Sequence, residues 1–126
     1  MTVPSQVLIV EDDPDSALVM QLCVKRAFPE AVFRTVDSVR GAKKLSQELR
    51  RKATFDLVLL DGMLLDGTSS EAWRHIKTIV HPNSKIILTS AIPENLNSPI
   101  TKGVPVDGYL QKPITPEDLI ALGELD

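Results

Sequence analysis

Four groups of residues follow directly on short apolar runs, and their types could do phosphoryl chemistry. Glu11-Asp12-Asp13 follows Val7-Leu8-Ile9-Val10, and Asp61 follows Leu57-Val58-Leu59-Leu60. Thr89-Ser90 follows Ile86-Ile87-Leu88, and Lys112-Pro113 follows Tyr109-Leu110-Gln111. Mg²⁺ prefers oxygen ligands and usually keeps several waters beside one or two carboxylates. A carboxylate can attack phosphorus and form an acyl phosphate. A lysine and a hydroxyl can then bind the phosphoryl oxygens. Each group alone has a plainer reading. The acids could cap a helix and favour its dipole, Asp61 could open a turn, Thr89-Ser90 could begin a loop, and Lys112 could be a surface lysine. Their joint placement, each after its own strand, points to a site.

The elements that must position these groups follow from periodicity. Val7 to Val10, Ala31 to Val36, Leu57 to Leu60, Ile86 to Leu88 and Tyr109 to Gln111 read as strands. Between Pro14 and Phe28, apolar residues recur at helical spacing, with Asp13 as cap and Pro14 at the first helical position. Val39, Ala42, Leu45 and Leu49 mark a second helix. Thr68-Ser69-Ser70 offers caps for a third, carrying Ala72, Ile76, Ile79 and Val80 on one face. Thr115-Pro116 begins a short last helix. Strands apolar on both faces, alternating with helices, imply a parallel sheet covered on both sides. With right-handed crossovers this is a doubly wound α/β fold. Ligands in such folds sit beyond the carboxyl ends of the strands, where the four groups stand.

Composition narrows the function. The 126 residues fit one domain spanning 1–126, with no repeat or linker. The net charge of -3 does not favour a nucleic-acid partner. The basic cluster Lys43, Lys44, Arg50, Arg51 and Lys52 reads as a solvated helix face. Cys23 is the one cysteine and reads as a small core residue, so no intramolecular disulfide can form. The N-terminus has no signal-peptide pattern, and no apolar run reaches the roughly 18 residues of a membrane helix. The expectation is a cytoplasmic protein without a membrane partner.

"VLIVEDDPD", "FDLVLLDGMLLDG", "IILTSA" and "DGYLQKPI" together resemble the signatures of two-component response-regulator receiver domains. The resemblance runs from about Gln6 to Leu122. It implies a flavodoxin-like, CheY-like sheet of five parallel strands in order 2-1-3-4-5. It implies a signalling phospho-acceptor that is not an enzyme in the usual sense, though it assists its own phosphorylation and dephosphorylation. By position, Asp61 resembles the phospho-acceptor. Glu11 and Asp12 resemble the acidic pair, with Asp12 as the direct Mg²⁺ ligand, and Asp13 only caps the helix. The backbone carbonyl of Met63 would be a further metal ligand. Lys112 resembles the lysine that pairs with the acceptor and later with the phosphoryl group, and its bond to Pro113 is cis in the family. Tyr109 resembles the switch aromatic. The switch hydroxyl is Thr89, which follows the apolar run directly, or Ser90, whose distance to Lys112 matches the family slightly better; Thr89 is preferred. The implied phosphodonor is a histidine kinase or a histidine phosphotransfer protein. The implied target is a downstream protein partner or a fused output domain, with the chain a monomer or weak dimer. A stand-alone receiver and a receiver from a longer protein are both consistent.

Two departures stand out. Leu65 occupies a position where the family usually has proline, and Gly62 after the acceptor would loosen that loop. Between Ala91 and Asp107, where the family has its fourth helix, lie Pro93, Pro99, Pro105 and Gly103. Interior proline costs a helix about 3 kcal/mol, so a short or distorted helix is expected, which puts the usual dimer in doubt. The alternative function is a receiver-like interaction module that signals without phosphorylation. A phosphatase of the haloacid-dehalogenase type is disfavoured, because Met63 stands where such enzymes carry their second Asp.

Overall fold

The computed structural model describes residues 3–91 and 101–124. Strands β1 (Gln6–Val10), β2 (Val32–Val36) and β3 (Phe55–Asp61) are separated by helices α1 (Pro14–Ala27) and α2 (Val39–Glu48). A small antiparallel pair, β4 (Met63–Leu64) and β5 (Gly67–Thr68), then leads into α3 (Ser69–Ile76). Strands β6 (Val80–Ser90) and β7 (Gly108–Gln111) and helix α4 (Pro116–Ala121) follow, with a last 3-10 turn over Leu122–Glu124. The five long strands form one parallel sheet in order β2-β1-β3-β6-β7, which is the expected 2-1-3-4-5 arrangement.

Strand alternation divides the core into two layers. Leu8, Val10, Val58, Leu60, Ile86 and Leu88 pack against α2 and α3 through Ala42, Leu45, Ala72 and Ile76. Val7, Ile9, Leu57, Leu59 and Ile87 pack against α1 and α4 through Met20, Cys23, Val24 and Leu119. The all-apolar runs of β1 and β3 are therefore strands buried on both faces. The edge strands β2 and β7 are partly exposed, which is why polar residues interrupt them.

Helix starts are chemically marked. Asp13 accepts from the Ser16 N–H, and Thr115 forms a reciprocal capping box with Asp118. The third helix is shorter than its apolar spacing predicts, ending at Ile76. Ile79 still reaches the core, but from a turn, and Val80 already belongs to β6. The Ile79 carbonyl accepts the N–H groups of Thr54 and Phe55, which draws the chain into the sheet. The run Thr78-Ile79-Val80 is β-branched and suits extended backbone. Most of the segment predicted as a short or distorted fourth helix lies outside the described residues, and Thr101 to Asp107 form turns and irregular backbone.

Leu59 is fully buried on the α1/α4 face, two residues before Asp61 on the same side of β3. Leu59→Ala is expected to destabilise the protein by about 3 kcal/mol, whereas Leu65→Ala, at a residue 89% exposed, changes stability by less than about 0.5 kcal/mol. Urea unfolding of the two variants measures both.

Candidate functional site

Register and alternation bring the four groups together. Val10 pairs with Leu60 across β1 and β3, and Glu11 follows, its N–H bonded to the Val36 carbonyl. Asp61 lies in register with Thr89, and Thr89 with Leu110. Glu11, Asp61, Thr89 and Lys112 each sit two residues beyond an apolar side chain of the α1/α4 layer: Ile9, Leu59, Ile87 and Leu110. Alternation therefore aims all four to the same face at the carboxyl edge of the sheet. Ser90 and Tyr109 fall on the opposite face by the same rule. Ser90 is buried, and the Tyr109 ring is exposed.

Lys112 joins the carboxylates. Its Nζ donates to Glu11 Oε1 and lies 3.3 Å from Asp61 Oδ2. Its backbone N–H bonds the Ser90 carbonyl at 2.8 Å, and the Lys112–Pro113 peptide bond is cis. Ser16, in the first turn of α1, donates its hydroxyl to the same Glu11 oxygen. The Met63 N–H reaches Asp61 Oδ1 at 3.4 Å. Carboxylate oxygens of Glu11, Asp12 and Asp61 all lie within 4.8 Å of one another. Three such oxygens can hold a hard divalent cation.

The charges are unequal partners. Glu11 is 1% exposed. Burial opposes its ionisation, but hydrogen bonds with Asp61, Lys112 and Ser16 outweigh burial and hold its carboxyl at about 2. Asp61 moves the other way, pushed up to about 7 by burial, the hydrogen bond to Glu11 and the Glu11 charge, against the pull of Lys112. Asp12 is raised for the same reasons, burial first and then Glu11. Lys112 loses some basicity to burial and regains more from the two carboxylates, so it stays a cation. Charge on Glu11 is thus favoured, while charge on Asp61 beside it is disfavoured. A divalent cation among these oxygens would favour the ionised form of each, so the donor set fits such an ion.

Thr89 is fully buried, and its Oγ1 is the buried side-chain oxygen without a hydrogen-bond partner among the described residues. An unpaired buried hydroxyl costs about 1–3 kcal/mol. Such an orphan beside an acidic cluster calls for a visiting acceptor.

Sequence reasoning missed two contributors. Ser16 hides as an ordinary first-turn serine, although its spacing from Glu11 follows once α1 starts at Pro14. Asp66 accepts the N–H groups of Val39 and Arg40 at 2.8 and 3.0 Å, capping α2 from a distant loop. Nothing local signals a partner 27 residues away. The loop that Gly62 was expected to loosen carries regular pairing. Its residues pair as β4 and β5, and the Ser69 N–H bonds the Gly62 carbonyl.

The Asp61 shift has a pH consequence in metal-free protein. A carboxyl raised in the folded state adds stability below its unfolded value, near 4, and that stability is lost as pH rises toward about 7. Wild-type melting temperature in chelator should therefore fall between pH 5 and pH 8. Asp61→Asn, which cannot ionise, should flatten that fall and melt higher than wild type at pH 8. Thermal unfolding followed by circular dichroism at the two pH values reads the difference.

Comparison with known proteins agrees with this geometry. The family model described as response regulator receiver domain matches residues 7–123. No curated protein sequence matches the chain. A CheY-like receiver domain from Methylobacillus flagellatus superposes with a TM-score of 0.72 at 21% identity, covering 97% of this chain and 98% of that one. A CheY-like receiver domain protein from Methanospirillum hungatei JF-1 gives 0.72 at 22% identity, with 97% and 94% covered. A response regulator from Burkholderia pseudomallei, solved with a phosphorylated aspartic acid, calcium ion and citrate, gives 0.73 at 17%, with 93% and 65% covered. Among the described residues no helix is long and apolar enough to cross a membrane. The match over residues 7–123, the strand order and the acidic cluster lead to one conclusion: the chain belongs to the response-regulator receiver domain family.

Proposed function

We propose that residues 1–126 act as one receiver domain, in which Asp61 accepts a phosphoryl group and thereby switches a protein-interaction surface. The donor is a phosphohistidine on a histidine kinase or a histidine phosphotransfer protein. The observation that carries this reading is the meeting of Glu11, Asp12, Asp61 and Lys112 at the carboxyl edge of the sheet. Glu11, Asp12, Asp61 and the Met63 backbone carbonyl would hold Mg²⁺, which supplies neutralisation of the phosphoryl oxygens when bound.

The chain's own residues do the rest. Lys112 favours the ionised form of Asp61, the form that attacks. An Asp61 oxygen attacks phosphorus in line, the new O–P bond forms as the N–P bond of the phosphohistidine breaks, and the donor imidazole leaves. The product adds negative charge and acceptor oxygens. Lys112 Nζ pairs with that charge, and the unpaired Thr89 hydroxyl donates to a phosphoryl oxygen. Thr89 is the fitting switch residue because it shares the Asp61 face, whereas Ser90 is buried on the other. Tyr109, exposed on the neighbouring strand, then changes between an outward and an inward position. A local charge change thus shifts the population of two surface states. Water later cleaves the acyl phosphate and resets the switch. The partner that reads the surface is a separate protein or a fused output domain.

Acetyl phosphate with Mg²⁺ should add one phosphoryl group to wild-type protein, and beryllofluoride should shift its amide NMR spectrum. Asp61→Asn should show neither change. A wild type silent to both reagents would leave the interaction module that signals without phosphorylation. Lys112→Ala should still take up phosphoryl groups but lose the spectral changes at Thr89 and Tyr109.

A further inference from the structure

The β4–β5 hairpin sits between the acceptor and α3 and is anchored on two sides. Leu64 is buried in the core layer beneath α2 and α3. Asp66, at the exposed tip, accepts the first two N–H groups of α2, from Val39 and Arg40. Ser38 Oγ takes the third free donor, the Gly41 N–H, at 2.9 Å. The cap of α2 is therefore built from two places, one local and one on the acceptor loop. Gly67 shows how closely that loop lies on the helix: a Cβ there would come within 2.9 Å of Val39 Cγ2 and 3.0 Å of a Glu71 oxygen. Val39 is short and branched and cannot swing away, so the approach needs glycine.

We propose that Asp66 is a positioning residue for the acceptor site. By clamping the hairpin to α2 it holds Met63, whose N–H reaches Asp61 Oδ1, at the distance the site requires. The inference rests on the receiver reading, in which the Met63 carbonyl is an ion ligand. Leu64 and the bond from the Ser69 N–H to the Gly62 carbonyl hold the base of the hairpin, but neither reaches its tip. Asp66 supplies the second point, with a carboxylate whose two oxygens each take one N–H. Partners of this supporting kind matter for ion affinity because they fix where the ligand atom stands.

The test separates positioning from helix stability. Mg²⁺ is titrated into wild type, Asp66→Ala, Asp66→Asn, Gly67→Ala and Ser38→Ala, followed by amide NMR, with melting temperatures recorded alongside. Ser38→Ala removes a cap of the same helix without touching the hairpin. Asp66→Ala and Gly67→Ala are expected to weaken Mg²⁺ binding roughly tenfold and to speed amide exchange at Met63 and Leu64. Ser38→Ala should lower the melting temperature but keep wild-type Mg²⁺ affinity. Asp66→Asn, which loses the charge but keeps an oxygen acceptor, should lie between wild type and Asp66→Ala. Equal weakening in Ser38→Ala and Asp66→Ala would mean that only helix stability matters, and would overturn the inference alone. So would unchanged affinity in Asp66→Ala. A wild type that takes up no Mg²⁺ overturns the receiver reading and this inference together.

Discussion

Everything at the carboxyl edge of this sheet depends on a shortage of positive charge. Three carboxyl groups, Glu11, Asp12 and Asp61, crowd within 4.8 Å, and Lys112 is the cation that pairs with them there. Two like charges 4 Å apart repel by roughly 4 kcal/mol at the effective dielectric of a part-buried site. That repulsion, added to burial, disfavours charge on Asp61, while Glu11 keeps its charge through Lys112 and Ser16. The site is thus poised. Whatever brings positive charge, or takes a carboxylate out of the competition by esterifying it, changes the balance among all four side chains.

The fold makes that imbalance possible because the sheet cannot relax away from it. β1 and β3 are buried on both faces, and every side chain from Val7 to Val10 and from Leu57 to Leu60 is fully sealed from water. Interiors packed this densely transmit displacement rather than absorb it. Change at the edge therefore goes into the groups that stand just past the strands and into the loops that carry them. Thr89, buried with an unpaired hydroxyl, and Tyr109, exposed on the next strand, are such groups.

Most of the fold was legible because its signals are local. Apolar runs of four residues bounded by acids mark strands, and Asp13, Thr68 and Thr115 mark helix starts by hydrogen bonds closed within three residues. The juxtaposition of Glu11, Asp61 and Lys112 was also legible, because a parallel sheet brings all strand ends to one side. Three features were hidden, each for a physical reason. Ile79 keeps helical spacing from Ile76, yet a backbone bond pattern with Thr54 and Phe55 claims it for the sheet. Gly62 suggested a loose loop, yet strand pairing begins at the next residue, Met63. Asp66 reads as a turn residue because its partners, Val39 and Arg40, stand far back in the chain and on another helix.

The segment Asp61-Gly62-Met63-Leu64-Leu65-Asp66-Gly67 contains the same dipeptide twice, and its two aspartates have opposite physics. Asp61 is buried beside a charged carboxylate, so its own charge is disfavoured and its carboxyl is pushed up to about 7. Asp66 stands in solvent and accepts the backbone N–H groups of Arg40 and Val39, which hold its carboxyl below the usual range. Charge is disfavoured on the first and favoured on the second. A nucleophile needs the first condition to be reversible, because its reactive form must appear when charge arrives. An anchor needs the second, because a proton would cost it an acceptor. Residue type alone cannot divide these tasks. The environment does so, through a sheet edge that crowds one carboxylate and a helix end that welcomes the other.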